Sequence, residues 1–108
     1  MTWNEAREGT VRQWQAIRAM VGAADPVELL TEVNAICDLC EKSDEVTGSG
    51  IGRCERCLFY QQFDGCKEVS ARISLGIVEK DWQAVRALID DMIAKLRVME
   101  VPSARNAA

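Results

Sequence analysis

The chain contains no histidine. That absence removes the commonest general base and the imidazole ligands on which catalytic zinc shells are built. Proline occurs only at Pro26, which fits the first position of a helix, and at Pro102, which ends one. Aromatic residues make up only 6% of the chain. No apolar run approaches the ~18 residues that would span a bilayer. The opening MTWNEAREG has neither a basic n-region nor an apolar core, so no secretory signal is expected and a cytoplasmic setting is the default. Basic charge is also missing as a feature. Net charge is −4, and residues 1–36, 37–66 and 67–108 carry −2, −3 and +1. A sequence-independent nucleic-acid binder would show a basic footprint.

What is present is cysteine, in a pattern. Four of the five lie in CDLC (Cys37, Cys40) and CERC (Cys54, Cys57), separated by 13 residues. An odd total cannot close into a complete set of intramolecular disulfides, and thiols stay reduced in the cytoplasm. Two C-x-x-C pairs bring four thiolates within reach of one tetrahedral ion, with a spacer close to the ~15–20 residues seen at zinc sites. The expectation is one Zn²⁺ per chain, held by Cys37, Cys40, Cys54 and Cys57. The alternative is an iron–sulfur cluster, for which four thiolates also suffice, although neither the bacterial nor the plant-type ferredoxin spacing is present. Cys66 is left over. It is either a core residue sharing a helical face with Val69 and Ile73, or an alternate ligand or resolving thiol.

The remainder reads as helix. Thr2 and Glu5 form a capping box opening a helix over residues 3–21, with Val11, Trp14, Ile17 and Val21 as its apolar stripe and Gly22 as its stop. Gly9 weakens the first turns, which moves the expected firm start toward Thr10. In ADPVE, Asp25 is the N-cap, Pro26 occupies N1 and Glu28 occupies N3. The buried face is then Leu29, Leu30, Val33, Ile36 and Cys37, and this helix is expected to run straight into the first cysteine pair.

The spacer EKSDEVTGSGIGR reads as a loop around the metal, with Gly48, Gly50 and Gly52 to fold it and only Val46 and Ile51 to bury. LFYQQF predicts a short helical turn stopped at Asp64-Gly65. A helix from Cys66 to Leu75 follows, with Gly76 as its C′ residue. The last helix spans 81–101. Its seam of Trp82, Val85, Ile89, Met92, Leu96 and Met99 suits either a monomer core or a homodimer. Leu88 and Ile93 widen that seam as in a bundle. The fold class is all-α: a small bundle of about four helices in one domain, 1–102, with a four-cysteine zinc-binding loop at 37–57 inserted between two helical hairpins. Residues 103–108 form a flexible tail.

The cysteine pattern resembles zinc-ribbon and treble-clef knuckles. The resemblance covers residues 37–57 only, and the helical flanks depart from the hairpins of ribbons. More loosely, C-x-x-C, a loop, C-x-x-C and a fifth cysteine resemble small uncharacterised bacterial and phage proteins, with Leu58 where those carry proline. The resemblance implies metal binding.

Four thiolates leave no open coordination position, and Asp90 and Asp91 diverge around a helix instead of pairing, so the chain reads as a non-enzyme. The leading expectation is a protein-interaction module, a regulator, adaptor or inhibitor, with Trp3, Phe59 and Tyr60 as candidate anchors. A thiol redox or metal-responsive switch is the first alternative, supported by the cations Arg53, Arg56 and Lys67 near Cys54, Cys57 and Cys66. Nucleic-acid binding through Arg53, Arg56, Lys67 and Arg72 is the second.

Overall fold

The computed structural model describes residues 1–47, 57–63 and 66–102, without the side chains of Thr47 and Cys66. Among these residues every regular element is a helix: α1 Trp3–Met20, α2 Pro26–Val33, α3 Asp38–Thr47, α4 Leu58–Phe63, α5 Cys66–Val78 and α6 Trp82–Val98. None of these helices is long and apolar enough to cross a membrane.

α1 starts where its capping box places it. The Thr2 hydroxyl accepts from the Glu5 N–H at 3.0 Å, and the Glu5 carboxylate accepts from the Thr2 N–H at 2.9 Å. The cap satisfies two donors that would otherwise be orphaned, so helix forms through Gly9 instead of beginning after it. Gly9 faces the Asp38 side chain of α3, whose carboxylate occupies the space a Cβ would take. Val21 ends α1, and Gly22 follows with φ +84°, the left-handed conformation glycine adopts without a Cβ penalty.

α6 lies antiparallel to α1. The Arg7 guanidinium donates to the Met99 carbonyl at 3.1 Å, and near the other end Arg18 pairs with Asp90 at 2.9 Å. Between them α1 contributes Ala6, Val11, Trp14 and Ile17 to the core, and α6 contributes Val85, Ile89, Met92 and Leu96. Each fully buried Ile or Leu supplies about 1.5–3 kcal/mol relative to exposure. The expected seam is therefore filled by the chain's own helices. Trp82, at its start, is only half-buried.

α5 and α6 form a hairpin, with α2 laid along α5, where the Asn34 amide donates to the Ser74 hydroxyl at 3.2 Å. α1 packs on α6 and α2 on α5, and α1 and α2 also touch each other.

Three boundaries differ from expectation. α2 ends at Val33, where the Asn34 side chain donates to the Leu30 carbonyl at 2.8 Å and closes the last turn. Ile36 therefore leaves the buried face and is 57% exposed. α5 runs past Gly76 to Val78 and is stopped by Lys80 in the left-handed region, φ 58°. The Asp81 N–H bonds the Gly76 carbonyl at 2.8 Å and the Lys80 N–H bonds the Ile77 carbonyl at 3.1 Å, the two bonds of a Schellman cap. Gly76 is buried in the hairpin, where an added Cβ would stand 2.8 Å from Val85 Cγ2. α6 stops at Val98, three residues early, and Met99 turns into extended backbone at φ −59°, ψ 132°.

The largest departure is α3. Residues 41–47, expected in a loop, are helical. Asp38 and Glu41 sit in the first turn, where acids complement the helix dipole. Leu39 and Ser43, one turn apart, are fully buried, and the Ser43 hydroxyl donates back to the Leu39 carbonyl at 2.8 Å. Lys42 lies over the Trp3 ring at 5.8 Å. Val46, expected to bury, is 60% exposed. The glycine-rich 48–56, the stop at Asp64-Gly65 and the tail 103–108 lie outside the described residues.

Candidate functional site

The first cysteine pair stands at the start of α3. Cys37 immediately precedes the helix, and its carbonyl accepts the first intrahelical bond, from the Glu41 N–H at 3.1 Å. Cys40 follows one turn later on the same side. Their Sγ atoms are 3.6 Å apart, and both side chains are half-buried.

Around Cys37 the donors converge. Ionised Cys37 receives a hydrogen bond from the Cys40 thiol, others from the N–H groups of Cys40 and Leu39, and one from the Thr10 hydroxyl of α1. Burial opposes ionisation but is outweighed, and the Cys37 thiol is drawn down to about 6 from a free value of 9.0. Cys40 moves the other way, because it gives its proton to that hydrogen bond and is partly desolvated. Cys37 is the sulfur favoured to ionise, and Cys40 the one favoured to keep its proton.

Cys57 stands just before α4 in the equivalent position. It is buried, and desolvation raises its thiol, opposed by hydrogen bonds from the N–H groups of Tyr60 and Phe59 and from Ser43. Its charge is felt at Cys40, and that of Cys37 is felt at Cys57, which puts Cys57 within electrostatic range of the pair. Ser43, whose hydroxyl donates to the Leu39 carbonyl of α3, stands beside the Cys57 sulfur just ahead of α4.

Thr10 and Ser43 were not among the residues singled out from the sequence. Both are polar at fully buried positions, 2% and 0% exposed. Thr10 accepts from the Leu39 N–H at 3.3 Å and thereby pins the start of α3 onto α1. The available signal was a polar residue at helical spacing inside the Ala6, Trp14, Ile17 stripe.

The donor set can be tested against a metal. Thiolates ~2.3 Å from a tetrahedral Zn²⁺ are ~3.8 Å from one another. The 3.6 Å separation of Cys37 and Cys40 fits that edge and is far from a disulfide of ~2.05 Å. Among the described residues, however, no group of three or more His, Cys, Asp or Glu side chains is placed to hold a metal ion. Cys54, with Arg53 and Arg56, lies outside the described residues, and so does the side chain of Cys66, the first residue of α5.

Two proposed surface anchors are corrected. Trp3 is 8% exposed and Phe59 3%. Trp3 caps the core under Lys42, and Phe59 is drawn inward with Phe63 beside it at a ring separation of 5.2 Å. Tyr60 is half-buried against the same core. With Phe63, Val69, Arg72 and Met92, these α4 rings line a cleft of about 390 Å³ on the side of α4 facing α5 and α6. Lys67 and Arg72 are exposed on α5.

The chain matches no protein-family model, no curated protein and no solved structure.

Proposed function

We propose that this chain is a small zinc-fastened helical protein acting as a protein-interaction module, a regulator, adaptor or inhibitor. Cys37, Cys40, Cys54 and Cys57 would be the four thiolate ligands. The observation that carries the reading is the convergence of the Cys37 and Cys40 sulfurs, 3.6 Å apart, with the buried Cys57 within electrostatic range of them. The hydrogen bond with Cys37, together with burial, keeps Cys40 protonated, and desolvation does the same for Cys57, so these thiols cannot all ionise without a cation. A bound divalent ion would supply the missing positive charge and fasten α3 to α4. The hydrogen bonds from Leu39, Cys40, Phe59 and Tyr60 N–H groups, and from Thr10 and Ser43, would orient and partly neutralise the ligands.

A shell of four thiolates has no open position, which is why an interaction role is favoured over catalysis. With Trp3 and Phe59 in the core, the exposed apolar residues that remain for a partner include Val27 on α2 and Leu75 and Val78 on α5. Native mass spectrometry of protein purified without added metal tests the metal reading. One zinc per chain, lost together with helical signal on chelation, is the expected result. A brown iron–sulfur species or a metal-free chain overturns it.

One observation favours a second reading, a thiol switch. The Cys37 thiol is drawn down to about 6, and the Cys40 sulfur lies 3.6 Å from it. Attack by the Cys37 thiolate on a small-molecule disulfide, with release of one thiolate, followed by Cys40 attack and release of the second, would leave a Cys37–Cys40 disulfide. The same spectrum distinguishes the two, because the switch yields a metal-free chain 2 Da lighter than the fully reduced mass, roughly two hydrogens per disulfide.

A further inference from the structure

α4 is six residues long, too short to persist as a helix on its own, yet it carries Cys57 at its start. Burial of Phe59 and contact with α5 hold one face of it, and its exposed side is tied to the extended segment following α6. The Gln62 side chain on α4 accepts from the Glu100 N–H at 2.8 Å and donates to the Glu100 carbonyl at 2.7 Å. This is the pairing a neighbouring β-strand would offer, made by one amide. The segment is anchored on its other side, where Arg7 of α1 donates to the Met99 carbonyl at 3.1 Å and Met99 itself is 2% exposed.

We propose that residues 99–102 form a clasp and that Gln62 is a positioning residue, setting how firmly α4 presents Cys57 to the Cys37–Cys40 pair. α3, carrying that pair, is pinned to α1 by Thr10, and α4 is tied to α1 through Gln62, the Met99–Glu100 backbone and Arg7. The two halves of the cysteine cluster are thus referred to one helix. The consequence for metal affinity rests on the zinc reading; the consequence for Cys57 does not.

The test measures alkylation of Cys57 and of Cys37 in the full-length, reduced, metal-free protein by mass mapping, together with Zn²⁺ affinity by chelator competition. Two lost hydrogen bonds predict roughly tenfold faster Cys57 alkylation in Gln62→Ala and roughly tenfold weaker Zn²⁺ binding, with Cys37 alkylation unchanged. Glu100→Pro removes the backbone donor and is expected to reproduce the loss, since Met99 already holds the extended backbone a following proline requires. Glu100→Ala keeps both backbone groups and is expected to match the wild type. Cys57 as protected in Gln62→Ala as in the wild type overturns the clasp. So does a parallel rise of Cys37 and Cys57, which marks general loss of structure. Faster Cys57 alkylation with unchanged Zn²⁺ affinity overturns the link to the metal. A wild-type chain that binds no zinc refutes the zinc reading, while Cys57 alkylation still decides the clasp.

Discussion

Replacing Thr10 by valine isolates the polar link between the core and the cysteines. The hydroxyl is 2% exposed, accepts from the Leu39 N–H at 3.3 Å and donates to the Cys37 sulfur. Valine fills the same volume but offers a methyl group, which leaves the Leu39 N–H with the Cys37 sulfur as its remaining acceptor. A buried donor losing its oxygen partner costs about 1–3 kcal/mol. Burying the new methyl recovers part of this, about 0.8 kcal/mol at most. The net expected loss is about 1–2 kcal/mol, seen in urea unfolding of the reduced, metal-free protein as a lower midpoint at unchanged slope. The thermal midpoint should fall by roughly 4–8 °C. Cys37 loses one of its donors, so its titration midpoint, followed by pH-dependent alkylation, rises above about 6. Thr10→Ser retains the hydroxyl and should lose stability through the missing methyl while holding that midpoint. If Thr10→Val is within about 0.5 kcal/mol of the wild type and Cys37 titrates unchanged, the hydroxyl does neither job. The reasoning that places Thr10 in the site then fails.

Lys80→Gly relieves a left-handed residue at φ 58° that costs about 1–2 kcal/mol, against extra unfolded-chain entropy of about 0.4–1 kcal/mol. A net gain of about 0.5–1 kcal/mol in urea midpoint is expected, and a loss would contradict the cap assignment. Gly9→Ala should gain less than the ~1 kcal/mol that alanine normally adds within a helix, because the Asp38 carboxylate must turn away from the new Cβ. Combining it with Asp38→Ala should restore the gain, and a double-mutant cycle with no coupling would refute the close approach. The metal-free protein should gain stability as pH rises from about 6 toward 9. Cys37 is depressed in the folded state, so its contribution is present above its unfolded value and lost as pH falls through about 6. Above pH ~9 the sign reverses, since Cys40 and Cys57 are raised and the unfolded chain ionises first. Cys37→Ser should abolish the rising limb, checked by unfolding midpoints across that range.

Signals written locally were legible. The capping box at Thr2 and Glu5, the stop at Gly22 and the a/d seam of α6 were all readable, because each depends on residues three or four apart within one helix. All-α followed from the same periodicities. Ser43 and Lys42 could not announce a helix: α3 buries little apolar surface, and its support comes from Trp3 and Thr10, more than 25 residues away. Trp3 and Phe59 looked available for a partner because aromatic character is a property of the residue, whereas exposure depends on what packs over it.

The sequence by itself determined the chemistry on offer: four thiols in two pairs, no imidazole, and helices enough to bury a core. Tertiary structure alone decided that the Cys37–Cys40 pair opens a helix of its own and that Cys57 lies buried within electrostatic range of it. It also decided that a threonine bonds the start of α3 and that a glutamine of α4 bonds the segment following α6. Spacing along the chain limits which sulfurs can meet, but hydrogen-bond donors and burial come from segments distant in sequence. Those donors and that burial set which sulfur carries the charge.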